Sequence, residues 1–306
     1  MYATYSKDLP RKNYKVFNSF LTLLLTVGFI TAKAQTNTEV FLLDLAVVDN
    51  AISLSVPKNI SNNNGYDNQP SFYNDSLVLF ASTRNEQTDI VSYAINKDRI
   101  LWISDTPNGS EYSPLKVPGK KRVSAIRLDT DGTQRLYSYD IESGKSELLL
   151  KDLKVGYHVW FTKDIVVSSV LLENRMDLFV SDIKNHSDYK FYKNVGRSFH
   201  KIPNSKRVSF IDKQASIPAL MSLNPLSGDV EKIIELPEGV QDVCWMINGT
   251  LLAGQKNRIL KFTPGTNTQW QTVAEISPAI LVNITRLATN STSTKLALVA
   301  EVKTTN

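Results

Sequence analysis

Residues Leu115 to Ile126, Leu-Lys-Val-Pro-Gly-Lys-Lys-Arg-Val-Ser-Ala-Ile, return 85 residues later at His200 to Ile211 as His-Lys-Ile-Pro-Asn-Ser-Lys-Arg-Val-Ser-Phe-Ile. Seven of the twelve positions are identical: Lys116/Lys201, Pro118/Pro203, Lys121/Lys206, Arg122/Arg207, Val123/Val208, Ser124/Ser209 and Ile126/Ile211. Val117/Ile202 is a conservative exchange in register. Similarity at a fixed offset is the mark of stacked structural repeats.

Around this stretch the chain reads as short strands of Val, Ile, Leu, Phe and Tyr, broken by Gly, Asn, Asp and Pro about every 8 to 12 residues. No amphipathic segment is long enough for a helix, so the class is all-β. Half of the 85-residue offset gives a unit of about 42 or 43. Strand-like segments recur near Gln69, Tyr112, Tyr157, Ser198, Gln241 and Ile284, 41 to 45 residues apart. Four strands in about 40 to 50 residues make one propeller blade. The second unit is the clearest, with strands at 112–117, 122–128, 135–140 and 147–150 and an Asp131-Gly132 hairpin turn. The last unit holds only two strands, 281–287 and 295–302. Two unmatched strands at 39–47 and 51–56 complete it. The expectation is a six-bladed β-propeller over 35–306, with four antiparallel strands per blade. It is closed by N-terminal strands pairing with the C-terminal blade, a hybrid of 39–56 and 281–302, which removes the open edge.

Within the first unit, Asn68-Gln69-Pro70-Ser71-Phe72, then Leu77 to Arg84, then Asp89-Ile90 resembles the repeat of the TolB-like, WD-repeat-like bacterial propellers. That repeat runs Asn-x-x-Pro-x-Phe-Ser-Pro-Asp-Gly, an apolar strand, Ser-x-Arg and Asp-Ile-Tyr. Tyr73-Asn74-Asp75 replaces its turn, whereas the second unit keeps Ser113-Pro114, Pro118-Gly119-Lys120 and Asp131-Gly132. The resemblance implies the fold and a habit of binding, without naming a partner. TolB carries an α/β domain ahead of its propeller, and Gln35 to Asn68 is too short for one, so a Tol-Pal role does not follow.

Residues 1–34 read as a secretory signal peptide: Arg11, Lys12 and Lys15, an apolar run from Phe20 to Ile30, then Ala32-Lys33-Ala34. The run is too short to span a bilayer as a helix, so no stable membrane insertion is expected once the leader is removed. The expected location is periplasmic or secreted. The leader carries +4 of the chain's net charge of +5. The remainder is near neutral and lacks the clustered positive charge that nucleic acid demands. The single cysteine, Cys244, rules out an intrachain disulfide, and its apolar neighbours mark it as a buried small residue.

In a propeller the first strand of each blade lines the axial channel. Blade by blade, the residues expected at its mouth are Asp67, Glu111, His158, Arg197, Asp242 and Arg286. A slip of one residue reverses a side chain's face. Asp67, Glu111 and Asp242 supply the oxygens a calcium ion would need, although no cofactor is expected. His158 and His200 read as partly buried strand residues and His186 as a solvated turn residue; zinc would want several converging ligands. There is no Gly-x-Ser-x-Gly elbow and no phosphate-cradling glycine loop. The leading expectation is an exported, monomeric binding or scaffolding module that engages an envelope protein or peptide. Two alternatives stand beside it. One is a metal-dependent hydrolase or lactonase with a cation in the channel. The other is a sugar-binding propeller using Tyr112, Tyr157, Trp160 and Trp245.

Overall fold

The computed structural model describes residues 37–49 and 51–302, and the expected leader lies outside the described residues. The chain enters through β1 (Thr38–Val48), β2 (Ala51–Leu54) and the short β3 (Lys58–Asn59). Blade one follows with β4 (Asp67–Asn74), β5 (Leu77–Arg84), β6 (Gln87–Ala94) and β7 (Arg99–Trp102), and blade two with β8 (Gly109–Lys116), β9 (Arg122–Asp129), β10 (Gln134–Asp140) and β11 (Ser146–Leu150). Blade three comprises β12 (Val155–Trp160), β13 (Ile165–Leu171), β14 (Met176–Asp182) and β15 (Ser187–Tyr192). Blade four comprises β16 (Val195–Lys201), β17 (Val208–Asp212), β18 (Ala219–Leu223) and β19 (Val230–Glu235). Blade five is β20 (Val243–Trp245), β21 (Leu251–Gln255), β22 (Arg258–Phe262) and β23 (Gln271–Glu275). β24 (Val282–Thr289) and β25 (Lys295–Glu301) begin blade six.

Each of the first five blades is a four-stranded antiparallel sheet in sequence order. The sixth runs β24-β25-β1-β2, with β1 paired to β25 from Thr38↔Glu301 to Asp44↔Lys295. This is the expected closure. The short β3, which also pairs with β1, was not anticipated. The first strands of successive blades approach one another around the whole ring, β4 to β8, β12, β16, β20, β24 and back to β4. These six strands wall the axial channel.

The continuous apolar runs have a packing cause. A middle strand such as Val78 to Ala81 is buried along its whole length because its blade meets a neighbour on each face, and so it shows no alternation. Six apolar clusters result, one at each blade interface. Leu79 and Ile90 of blade one meet Val123 and Tyr139 of blade two, and Val78 and Phe80 meet Val40 and Val299 across the closure.

The repeated Arg-Val-Ser serves this construction. Arg122 Nε donates to Ser138 Oγ at 2.9 Å, and its Nη2 donates to the carbonyls of Ser138 and Lys145 at 2.8 and 3.1 Å. Arg207 repeats the clamp on Ser222 Oγ at 3.0 Å and on the carbonyls of Ser222 and Asp229 at 3.4 and 3.1 Å. Two residues on, Ser124 Oγ accepts the indole N–H of Trp160 in the next blade at 2.9 Å, and Ser209 Oγ accepts that of Trp245 at the same distance. The arginine ties three strands of its own blade together, and the serine ties that blade to its neighbour. Trp160 and Trp245 are thereby packed between blades. Cys244 is buried as expected.

Two expected channel residues sit at interfaces. Asp67 is fully buried and neither carboxylate oxygen has a hydrogen-bond partner. Burial pushes its pKa up to about 7; Glu39 adds repulsion, and nearby Ser82, Asn63 and Ser61 counter it. Glu111 accepts hydrogen bonds from Ser104 Oγ at 2.9 Å and Tyr139 Oη at 3.0 Å. Burial also raises it to about 7, against those bonds and with Asp89 adding repulsion. A carboxyl that keeps its proton when folded and loses it when unfolded makes stability fall as pH rises from about 4 to about 7. The buried histidines act with the opposite sign. His158 is lowered to about 3 and His200 is also lowered, each chiefly by burial. Between the depressed folded value and the unfolded one of about 6.5, their contribution to stability grows with pH.

Single variants separate these effects. Asp67→Asn should gain stability relative to the parent by about 2 kcal/mol between pH 5 and pH 8, read from urea unfolding; an offset independent of pH would overturn the assignment. Ser124→Ala and Ser209→Ala each leave a buried indole N–H unpaired and should cost about 1–3 kcal/mol. If Ser209→Ala costs as much in a Trp245→Phe background as in the parent, the Ser209–Trp245 bond contributes nothing.

Candidate functional site: the axial channel

The inner strands are irregular where they wall the channel. The register with the second strand breaks between Asn68 and Ser71 in β4 and between Tyr112 and Leu115 in β8. At these bulges Gln69 and Ser113 take left-handed backbone angles, φ 58° and 54°, and each precedes a proline. A residue before proline is normally extended, so the conformation costs roughly 1–3 kcal/mol at each position. The surroundings hold it. Ser113 N donates to Gln69 Oε1 at 2.7 Å, and Ser71 Oγ donates to the Pro114 carbonyl at 2.5 Å. These bonds bolt blade one to blade two.

The bulges decide which side chains face the axis. Gln69 and Ser113 line the channel. Asp67 and Glu111, two residues earlier and expected at the channel mouth, are instead fully buried and do not line this cavity. The other four expected residues come together: His158, Arg197, Asp242 and Arg286 line one cavity with Tyr157, Ser198 and His200. Sequence reasoning missed Gln69, Ser113 and His200 as lining residues. The Gln-Pro and Ser-Pro pairs were visible, but nothing in them announces a left-handed residue ahead of the ring.

In β16, Gly196 precedes Arg197 at another register break. A Cβ there would lie 2.9 Å from Ile211 Cβ, so only glycine lets β16 press onto β17 and turn Arg197 inward.

The cavity is small, about 70 Å³, and charged. Arg286 is 8% exposed and Asp242 6%. Arg197 Nη2 donates to the Thr285 carbonyl at 2.9 Å. The Arg286 guanidinium lies 5.1 Å from the Tyr157 ring centre, a cation–π contact. Asp242 Oδ2 accepts the Leu287 N–H at 3.3 Å. Burial and repulsion from Arg286 hold Arg197 below the usual arginine value, with Asp242, Tyr157 and Tyr66 partly restoring it. Tyr66, edge-on to Tyr112 at 6.0 Å, is pushed up to about 12 by burial against the pull of Arg286. His158 Nε2 lies 2.7 Å from Ser124 Oγ, the same hydroxyl that accepts Trp160. Its Nδ1 has no partner. His186 is exposed in its turn, as expected.

A second cavity of about 260 Å³ shares Tyr157 and Arg197 with the first, and Met176, Ile211, Lys213, Pro218, Val240 and Gln241 complete it. Among the described residues no group of three His, Cys, Asp or Glu is arranged to hold a metal ion, and no helix is long and apolar enough to cross a membrane.

No family model matches the chain, and no curated protein does. Solved structures do resemble it. A provisionally assigned TolB from Agrobacterium tumefaciens superposes with a TM-score of 0.67 at 10% identity, over 88% of this chain and 100% of that one. TolB from Acinetobacter baumannii gives 0.55 at 9% identity over 87% of this chain, which spans only 64% of that TolB. A gluconolactonase from Xanthomonas campestris gives 0.61 at 8% identity, over 87% and 96%. At such identities the likeness is one of fold: this chain is a six-bladed β-propeller similar in structure to TolB and to gluconolactonase.

Proposed function

We propose that this chain is a binding propeller of the bacterial cell envelope, exported to the periplasm or beyond, that engages a protein or peptide at the mouth of its axial channel. The observation that carries the reading is the charge of the channel wall, two guanidinium groups against one carboxylate. A lactonase-type reaction needs a cation that polarises a carbonyl or activates water, and a hard cation needs several converging oxygens. Asp67 and Glu111 are turned into blade interfaces, and Arg197 and Arg286 would repel a divalent ion beside Asp242. The wall therefore favours binding over metal-assisted hydrolysis. The adjoining cavity, with Met176, Ile211, Pro218 and Val240 beside Lys213 and Gln241, supports the same reading. It offers the apolar lining with a few polar groups that recognition sites use.

Cross-linked capture from the envelope of the native host, with the tagged protein as bait, should enrich one partner that an Arg197→Glu bait loses at unchanged melting temperature. Equal recovery by both baits would remove the channel mouth as the contact, and recovery of no partner by either would sink the protein-binding reading.

A further inference from the structure

We propose that the axial channel is a carboxylate-binding site, in which Arg197 and Arg286 together hold one monoanionic carboxyl group of the ligand. The inference rests on the reading of the channel mouth as a binding site and supplies its chemistry.

Four buried polar atoms without a hydrogen-bond partner belong to residues of this one cavity: Ser113 Oγ, His158 Nδ1, Arg197 Nε and Arg286 Nε. Buried polar groups are otherwise almost always paired, and their convergence on one small space marks a place for a ligand. The Arg197 and Arg286 Nε–H groups and the Ser113 hydroxyl are donors. His158 is kept neutral by burial. It presents Nδ1–H when Ser124 Oγ donates to its Nε2, and a bare Nδ1 when Ser124 Oγ donates instead to the Leu115 carbonyl 3.2 Å away. The donors common to both tautomers are the two Nε–H groups and the Ser113 hydroxyl. The set suits an acceptor-rich guest.

Charge and size narrow the guest further. Two guanidinium groups against the Asp242 carboxylate leave one uncompensated positive charge in the cavity, which a monoanion cancels and a dianion exceeds. Guanidinium forks match the planar geometry of a carboxylate. A space of about 70 Å³ takes a carboxyl head with little else, and the wider cavity sharing Tyr157 and Arg197 can receive an apolar body. A free organic acid and the acidic side chain of a peptide present the same head.

The test is calorimetric titration of the purified protein with hexanoate, hexanamide, chloride, inorganic phosphate and a terminally blocked peptide containing one glutamate. Hexanoate or the peptide should bind saturably at one site per chain, with hexanamide showing no binding; whichever carboxylate binds tighter identifies the source. Arg286→Gln and Arg197→Gln should each weaken binding at least tenfold, and the wild-type contrast between acid and amide stands even if a variant fails to fold. Binding of chloride or phosphate as tight as that of hexanoate, or no saturable binding by either carboxylate, would overturn the proposal. Carboxylate binding without partner capture upholds this site and sinks the protein-binding reading. Partner capture lost in Arg197→Glu without carboxylate binding does the reverse.

Discussion

The structure depends on one ladder, the antiparallel pairing of β1 with β25 from Thr38↔Glu301 to Asp44↔Lys295. Without it blade six would be two strands with an exposed edge, a template for aggregation. The interface carrying Val40, Val299, Val78 and Phe80 would also lose one wall. Side chains reinforce the closure. Asn290 Nδ2 and Ser291 Oγ both donate to Asp75 Oδ1 at 2.9 Å, and Thr38 Oγ1 donates to the Asp67 carbonyl at 3.0 Å. A ring has no terminal repeat to cap, so every blade gains two apolar neighbours. That circular packing lets an all-β chain without a disulfide bury its middle strands on both faces.

Apolar contact alone does not fix which blade follows which, because the six interface clusters are chemically alike. Hydrogen bonds across the interfaces add the distinction. Ser124 with Trp160, Ser209 with Trp245, and Ser71 with the Pro114 carbonyl each satisfy a polar group only in one relative placement of two blades. An unpaired buried donor costs more than the bond contributes, so these pairs penalise misplacement more than they reward assembly. The 85-residue repeat is the trace of this requirement in sequence.

Much of the fold was legible for the same reason. A buried middle strand must be an unbroken apolar run, the turns must carry Gly, Asn or Asp, and the clamp of Arg122 and Arg207 recurs at a fixed offset. The site was only half legible. His158, Arg197, Asp242 and Arg286 could be placed near the axis because they lie in, or directly before, the first strand of their blades, the strand that walls the channel. Asp67 and Glu111 also belong to first strands and are instead fully buried away from the cavity, beside the bulges at Gln69-Pro70 and Ser113-Pro114, where the two-residue period breaks. A left-handed residue ahead of proline runs against local preference, and the tertiary bonds to Gln69 Oε1 and the Pro114 carbonyl help sustain it beside the local bond from Gln69 N to Asn68 Oδ1. Local sequence carries no record of the tertiary bonds.

The same division explains how the channel tolerates its charges. Arg197 and Arg286 repel one another in a buried space, and Asp242, the Thr285 carbonyl and the Tyr157 ring offset that repulsion in part. Such an arrangement lowers stability, and a fold whose cohesion ran through its axis could ill sustain it. Here the cohesion lies in six apolar clusters between the blades, of whose residues Leu115, Tyr157, Phe199 and Leu287 also line the channel cavity. The wall can therefore hold groups that are mutually unfavourable when the channel is considered alone. Arg197 is held by its bond to the Thr285 carbonyl and Arg286 by its contact with the Tyr157 ring. Their donors stay preorganised, which reduces the ordering cost a ligand must overcome. A guest of opposite charge turns the repulsion between them into shared attraction, so the feature that weakens the empty ring strengthens the bound one.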